Sequence, residues 1–217
     1  MIQTWAADVT PLLGDAAYQR HYDRLPRWRR EKADGLRKRE DRARSVGVWI
    51  LYQCMRERYR LSEKGIYNLS HSGRYALCSV EAEDPGRSEK DSSVKLGCDV
   101  EMLGEFRPGI LSRFLGPEEA ARLEKISDPG GKRELFYRYW VLKESFVKAT
   151  RRGMALDFRS FEICLEQGQP VLGRRPPEYS EQYYFQEYRL PDQDARIAVC
   201  STDPQFGKLR MARVFGD

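Results

Sequence analysis

Apolar residues at helical spacing mark two long stretches of the chain as helices. Over residues 41–59, apolar positions recur every three or four residues and predict one buried stripe, formed by Val48, Leu51, Tyr52, Met55 and Tyr59. Residues 132–150 are apolar around much of a second predicted helix, which ends before Gly153. Shorter helices are predicted after Pro26 and over residues 117–125.

Strand patterns separate and follow these helices. Residues 75–80 are almost continuously apolar and predict a buried strand, whereas residues 95–102 alternate in polarity. The alternation places Leu96, Cys98, Val100 and Met102 on one face, opposite Gly97, Asp99 and Glu101. Further strands are predicted at residues 160–165, 183–190 and 196–201. Residues 1–20 are predicted to be extended, residues 68–73 to form a turn, and residues 81–93 an exposed loop.

An internal similarity indicates how these elements are organised. The string Tyr-Ala-Leu-Cys-Ser at residues 75–79 is similar to Ile-Ala-Val-Cys-Ser at residues 197–201. Coincidence stays open as an explanation, because buried strands draw on few residue types. Taken with the helices, the similarity predicts an α+β fold of two pseudo-symmetric halves, each a helix packed on a small antiparallel sheet. We place the N-terminal half at residues 1–100 and the C-terminal half at residues 101–217.

The charge of the chain is concentrated in one segment. The 217 residues include 38 Lys and Arg against 33 Asp and Glu, a net charge of +5. Residues 20–44 alone hold eleven Lys and Arg and five Asp and Glu, which favours an anionic partner. Because no apolar run could span a membrane and no signal peptide is evident, we expect a cytoplasmic protein that is not bound to membranes.

Several common kinds of site are poorly supported. The five cysteines are odd in number and widely spaced, and we expect them to be reduced thiols of the core: Cys54, Cys78, Cys98, Cys164 and Cys200. Only two histidines occur and no Cys-x-x-Cys motif is present, so neither a zinc site nor a cysteine–histidine dyad is indicated. No P-loop and no Gly-x-Gly-x-x-Gly motif occurs either.

Two acidic side chains share one face of a predicted strand. Asp99 and Glu101 lie two residues apart, about 6–7 Å along a strand. In a half-buried position such a pair requires a shared proton or a cation, and oxygen ligands favour Mg²⁺ or Mn²⁺. The alternative is two solvated acids on an open sheet face.

The second long helix brings further charges to one face. Trp140, Glu144 and Lys148 follow at intervals of four residues. Glu144 and Lys148 could simply form a surface ion pair. The apolar surroundings favour partial burial instead, in which Glu144 completes the acidic site and Lys148 faces an anionic ligand.

Two other features suit phosphate. Ser70, His71, Ser72 and Gly73 lie in the predicted turn, where hydroxyl, imidazole and backbone N–H groups could bind a phosphate, although most such turns are only turns. The basic segment at residues 27–44 could bind the phosphates of a small ligand or of nucleic acid, or be a solvated surface.

Together these strings resemble the motifs of the 4′-phosphopantetheinyl transferase superfamily. Leu-Gly-Cys-Asp-Val-Glu at residues 96–101 and Trp-Val-Leu-Lys-Glu-Ser-Phe-Val-Lys at residues 140–148 are similar to its two signature motifs, and Asn-Leu-Ser-His-Ser-Gly at residues 68–73 to a third. Order, spacing and length match the monomeric surfactin-type (Sfp-like) branch, which has two pseudo-equivalent halves with the active site at their junction. The Gly-Lys-Pro segment that the family often carries before the third motif is missing here.

The resemblance implies transfer of the 4′-phosphopantetheine arm from coenzyme A to a serine of an apo acyl or peptidyl carrier protein, with release of adenosine 3′,5′-bisphosphate. It implies Mg²⁺, or Mn²⁺, on Asp99, Glu101 and Glu144, with Glu144 as general base, directly or through water, and Lys148 on the pyrophosphate. The remaining coenzyme A contacts would come from Arg29, Lys32, Arg44, Ser45, Ser70 and His71, with His71 at the 3′-phosphate. We expect a monomer.

A partner surface and a rival function complete these expectations. Residues 106–115 could offer apolar contacts to the carrier, or could be ordinary core. The alternative function is a Mg²⁺-dependent nuclease or nucleotidyl transferase that uses the same carboxylates on nucleic acid held by the basic helix. A non-enzymatic nucleic-acid binder would need the basic helix alone, and we regard nucleic acid as the less favoured partner.

Overall fold

The computed structural model describes residues 1–82, 94–105 and 108–215. The helices are α1 (Asp15–Tyr22), α2 (Arg27–Asp34), α3 (Arg39–Tyr59), α4 (Pro108–Phe114), α5 (Pro117–Glu124) and α6 (Pro129–Thr150). The strands are β1 (Ile2–Asp8), β2 (Tyr67–Ser72), β3 (Tyr75–Glu81), β4 (Leu96–Met102), β5 (Ile163–Glu166), β6 (Gln169–Leu172), β7 (Tyr184–Arg189), β8 (Ala195–Ser201) and β9 (Arg210–Met211). Within these ranges, no helix is both long and apolar enough to cross a bilayer.

Helix α3 covers one face of the first sheet, whose strand order is β2–β3–β1–β9. The predicted apolar stripe forms this contact, because Val48, Leu51, Tyr52 and Met55 are buried and Tyr59 packs at its edge. Strands β1, β2 and β3 are antiparallel, and the short β9 runs parallel to β1. Burial of the stripe, rather than helix propensity alone, stabilises a helix of this kind.

Helix α6 covers the second sheet in the same way. That sheet is antiparallel with the order β4–β8–β7, and β5 and β6 form a separate hairpin. The other faces of the two sheets pack against each other through small and branched side chains that include Ala6, Leu77, Cys98 and Ile197. The layers therefore run helix, sheet, sheet, helix, with one apolar core between each pair of layers.

The predicted α+β class is confirmed, and the two similar strings occupy equivalent places. Strand β3 lies between β2 and β1, and β8 lies between β4 and β7. Both long helices also end at an arginine in the left-handed region, Arg60 with φ 51° and Arg151 with φ 58°. The division at residue 100 stays a prediction. Strand β4 crosses that boundary, and β9 from the second half joins the first sheet.

Two local predictions are wrong. Residues 68–73 were expected to form a turn because of their Asn, Ser and Gly content, but residues 67–72 form strand β2. The extended segment expected for residues 1–20 is correct only for β1, since α1 begins at Asp15. Most of the loop expected at residues 81–93 lies outside the described residues.

Candidate active site

Glycine 97 brings strand β4 against helix α6. A Cβ atom at Gly97 would lie 2.0 Å from the carbonyl oxygen of Ser145 and 2.4 Å from the backbone nitrogen of Ala149. Only a residue without a side chain permits this approach. Asp99 and Glu101 follow on the same face of the strand. Both carboxylates are therefore on the α6 side of β4, where Asp99 is buried and Glu101 half-buried.

Lys148 of α6 forms an ion pair with Asp99. Its Nζ lies 2.7 Å from Oδ1 of Asp99, 3.0 Å from Oγ of Ser70 and 3.2 Å from the carbonyl oxygen of Cys98. The Ser70 hydroxyl donates to the same Oδ1 at 2.7 Å. Desolvation opposes the charge of Lys148, but the charge and hydrogen bond of Asp99, together with Cys98 and Glu144, outweigh it and raise the pKa of the amine. Lys148 is therefore protonated at neutral pH and holds one oxygen of Asp99.

The three predicted carboxylates interact with one another. The pKa of Glu101 is raised to about 7, chiefly by burial and then by the charge of Asp99, with a smaller contribution from Glu144. Burial and Asp99 also raise the pKa of Glu144, and Lys148 opposes this effect. Burial raises the pKa of Asp99, against the influence of Lys148 and Ser70. The single positive charge of Lys148 therefore does not balance the negative charges of the three carboxylates.

The donor set of this group suits a hard divalent cation. Over the described ranges, no three His, Cys, Asp or Glu side chains are arranged to hold a metal ion as they stand. One reason is visible at Asp99, where Lys148 holds Oδ1. The other oxygen, Oδ2, is buried and finds no hydrogen-bond partner among the residues described. An unpartnered buried carboxylate oxygen beside two further carboxylates is a donor set of the kind that Mg²⁺ takes.

Basic side chains border the carboxylates. The pKa of His71 is lowered, first by desolvation and then by Arg44, Lys148 and Lys32, so three cations act on this one imidazole. Its side chain is nevertheless exposed at the surface. Arg44 is held by a 2.9 Å hydrogen bond to the carbonyl oxygen of Gly73, in the turn after β2. Lys32, Arg44, His71 and Lys148 therefore form a basic rim that suits a polyanionic ligand.

Arg29 and Ser45, both expected at the ligand phosphates, are buried. Arg29 is only 4% exposed and its Nη2 donates to the carbonyl oxygen of Ser45 at 2.7 Å. Its guanidinium carbon lies 5.4 Å from the ring centre of Trp28 and 4.9 Å from that of Trp49. Ser45 is likewise buried. Nε of Arg29 and Oγ of Ser45 find no hydrogen-bond partner among the residues described, and the assignment of both side chains to the ligand phosphates stays a prediction.

The segment expected to contact a carrier includes helix α4. Phe114 and Leu115 are buried in the core of the second half, and the Phe114 ring stacks on Trp140 with 4.4 Å between ring centres. The core interpretation therefore holds for these two residues. Phe106 and the side chain of Ile110 lie outside what the structure describes.

Lys143 has a role that the sequence reasoning missed. This lysine, next to Glu144 in the chain, is fully buried. Its Nζ lies 2.9 and 2.7 Å from the carboxylate oxygens of Glu119 and 2.9 Å from the carbonyl oxygen of Phe161. Successive helix residues lie about 100° apart around the axis, so Lys143 faces the core while Glu144 faces β4. Nothing in the sequence identifies Glu119, 24 residues away, as its partner.

Ser72 was expected in a phosphate-binding turn, and its contact with Glu101 was missed. Its hydroxyl donates to Oε2 of Glu101 at 2.7 Å, as Ser70 does to Asp99. The alternation of Asn68, Ser70 and Ser72 is the period of a strand and could have indicated that all three share a face.

Comparisons with known proteins find several similar chains. Residues 95–200, which include β4 and α6, match the family model described as the 4′-phosphopantetheinyl transferase superfamily. A 4′-phosphopantetheinyl transferase of Bacillus subtilis is 26% identical over 198 residues, 82% of either chain. The 4′-phosphopantetheinyl transferase Sfp of Bacillus subtilis strain 168 is 29% identical over 64% of this chain and 56% of its own. Among solved structures, the holo-[acyl-carrier-protein] synthase of Thermotoga maritima superposes with a TM-score of 0.43 at 21% identity, over 49% of this chain and 61% of that one.

Proposed function

We propose that this chain, which belongs to the 4′-phosphopantetheinyl transferase superfamily, transfers the 4′-phosphopantetheine arm of coenzyme A to a serine of an apo carrier protein. The by-product would be adenosine 3′,5′-bisphosphate. The observation that carries the proposal is the junction of β4 and α6, where three interacting carboxylates lie beside a basic rim. Coenzyme A presents a pyrophosphate and a 3′-phosphate, and such a ligand requires both features.

Asp99, Glu101 and Glu144 would hold the divalent cation, Mg²⁺ or Mn²⁺. When bound, the ion would neutralise the pyrophosphate and make its β-phosphorus easier to attack. The buried, unpartnered Oδ2 of Asp99 and the raised pKa of Glu101 support this assignment. A bound cation would contact the free Asp99 oxygen and would lower the pKa of Glu101, so both observations are those expected of carboxylates that bind a cation.

Lys148 would bind a phosphoryl oxygen of the pyrophosphate and stabilise the charge that develops there. Its position against Asp99 and Ser70 already sets the ammonium group beside the carboxylates. Glu144 would take the proton of the carrier serine, directly or through a water molecule. Burial and Asp99 raise the pKa of Glu144 above that of an ordinary carboxyl, which makes it a stronger base.

The basic rim would bind the phosphates of the nucleotide. Lys32 and Arg44 both lower the pKa of His71, and His71 would take the 3′-phosphate. Arg29 and Ser45 are left out of this group because they are buried. Ser70 is assigned to Asp99 and Lys148 rather than to a phosphate.

The partner would be an acyl or peptidyl carrier protein, bound by a monomer. Carriers of this kind are acidic around the modified serine, so the basic segment at residues 20–44 would attract them in a salt-dependent way. Each half of the chain contributes to the site, β2 from the first and α6 from the second. One copy therefore contains every residue named in the mechanism.

The proposal is tested by incubating the chain with coenzyme A, Mg²⁺ and a panel of apo carriers. Mass spectrometry of the carrier should show a gain of one phosphopantetheine arm at its serine, and excess EDTA should prevent the gain. A carrier with alanine in place of that serine is the matched control. No gain on any carrier, together with salt-sensitive binding of RNA, would instead favour the nuclease or nucleotidyl transferase alternative.

A further inference from the structure

Strand β2 is joined to β4 by side chains instead of a backbone ladder. Every second residue of β2 accepts a hydrogen bond from every second backbone N–H of β4. The pairs are Cys98 to Asn68 at 2.9 Å, Val100 to Ser70 at 3.4 Å and Met102 to Ser72 at 3.2 Å. Because both strands are the outer strands of their sheets, this row of three bonds, the seam, connects the two halves of the chain.

Two of the three bonds in the seam also carry a carboxylate. The hydroxyl that accepts from Val100 donates to Asp99, and the one that accepts from Met102 donates to Glu101. At the third bond, that of Asn68, the corresponding residue of β4 is Gly97 and no carboxylate is present. The seam thus has two serines linked to acids and one asparagine that only connects the strands.

Ser72 and Ser70 differ in their surroundings. Oγ of Ser70 is also contacted by Lys148, so Asp99 is held by a cation as well as by a hydroxyl. A hydroxyl has one proton to donate. The Ser72 hydroxyl oxygen accepts a hydrogen bond from the Met102 N–H, and the hydroxyl proton is donated to Oε2 of Glu101 at 2.7 Å. The backbone of β4 thereby fixes the direction in which Ser72 holds Glu101.

We propose that Ser72 is a positioning residue that orients Glu101 for the divalent cation, using the backbone of β4 as its anchor. The inference rests on the proposed function, since it assigns Glu101 to the metal site. Hydrogen bonds to metal-binding carboxylates hold them in the binding orientation, and their loss typically weakens metal affinity by about 10-fold to 100-fold. Ser72 would act through Glu101 and would not contact the substrate.

The test is a titration of Mn²⁺ into the chain with coenzyme A present and no carrier, followed by electron paramagnetic resonance. Ser72→Ala should weaken Mn²⁺ binding at least about 10-fold, whereas Ser72→Thr, which keeps a hydroxyl, should restore it to within about threefold. In the transfer assay, the Mg²⁺ concentration for half-maximal rate should rise in Ser72→Ala, while the KM for coenzyme A at saturating Mg²⁺ stays within about twofold of wild type.

Asn68→Ala is the matched control, because it removes a bond of the seam that carries no carboxylate. It should lower the melting temperature but leave Mn²⁺ affinity within about twofold. Wild-type Mn²⁺ affinity in Ser72→Ala, or an equal loss in Asn68→Ala, would overturn the inference. The two proposals can fail separately. If Mn²⁺ binding depends on the Ser72 hydroxyl but the wild-type chain modifies no carrier, the proposed function is refuted and this inference stands.

Discussion

Lys148 and Asp99 meet at 2.7 Å in a site that also holds two carboxylates without a cation of their own. The lysine is therefore both a partner of a metal ligand and a competitor for it, since its charge repels any divalent ion that approaches Asp99. A residue that merely supported the metal site would strengthen metal binding. Lys148 should weaken metal binding and still be needed for the reaction, because its charge serves the phosphate.

Lys148→Met separates these two roles. The variant should bind Mn²⁺ in the absence of coenzyme A at least as tightly as wild type, since a positive charge beside Asp99 is removed. Its kcat should nevertheless fall by about 100-fold or more, as expected when a group that stabilises developing charge is lost. Electron paramagnetic resonance and the transfer assay measure the two quantities. Weaker Mn²⁺ binding by the variant would show that Lys148 supports the metal site instead.

Glu144→Gln tests the general base. The amide keeps the size of the side chain but cannot accept the serine proton, so kcat should fall by about 100-fold to 10,000-fold. Circular dichroism and the melting temperature should match wild type. Glu124→Gln is the control, because Glu124 is exposed at the end of α5 and should transfer at the wild-type rate. If Glu144→Gln retains full activity, the base lies elsewhere.

Gly97→Ala should disrupt the contact between β4 and α6. The added methyl group would lie 2.0 Å from a carbonyl oxygen of α6, a backbone atom that cannot move aside, so the chain should lose at least about 3 kcal/mol of unfolding free energy. Urea denaturation measures the loss. Gly109→Ala, in helix α4, is the control. None of the described atoms lies within 4 Å of its new methyl group, so it should be neutral or slightly stabilising.

The main outline of this site could be predicted from the sequence because it depends on local periodicity. The alternation of residues 95–102 correctly placed Asp99 and Glu101 on one face of β4. The helical spacing of Glu144 and Lys148 correctly brought Lys148 toward that face. Strand and helix periods are properties of a short segment, so a sequence expresses them directly.

Features that depend on distant partners could not be predicted. Strand β2 has the composition of a turn, and its strand character comes from the antiparallel ladder with β3, whereas its seam joins it to β4, about thirty residues away. Arg29 lies in a segment so basic that exposure was expected, yet Trp28 and Trp49 enclose it. Only the packing of α2 on α3 shows this. Charged residues are seldom buried. A basic segment is therefore expected to be exposed, and its sequence does not show which single arginine is buried.

Lys143→Met should destabilise the chain strongly. The fully buried ammonium group of Lys143 contacts both carboxylate oxygens of Glu119, so its removal leaves a buried carboxylate without its counterion, bound only by the backbone N–H groups of Gly116 and Ile163. We expect a loss of about 3–5 kcal/mol in unfolding free energy by urea denaturation. Arg133→Met, at an exposed position of the same helix, should change it by less than about 0.5 kcal/mol. Equal effects of the two substitutions would contradict this assignment.

Buried His21 should make the stability of the chain fall in mild acid. Its ring packs edge-on against Phe215 with 5.5 Å between ring centres. Burial lowers the pKa of His21 from its model-compound value of 6.5, and Arg24 and Arg20 lower it further. Below pH 6.5 the unfolded chain therefore takes up a proton that the folded chain resists. The contribution of His21 to the unfolding free energy is fully retained above pH 6.5 and falls as the pH drops toward the pKa of the folded state, whereas the raised pKa of Glu101 acts in the opposite direction.

Urea denaturation at pH 7.5 and pH 5.5 measures this effect. His21→Leu removes the titrating group and should lose less unfolding free energy between the two pH values than wild type does. Desolvation and nearby cations also lower the pKa of His71, so His71→Leu should remove a separate part of the same pH dependence. Each unit by which folding depresses the pKa of His21 contributes up to about 1.4 kcal/mol to the difference. If the unfolding free energy of His21→Leu changes with pH as much as that of wild type, the acid sensitivity comes from other groups.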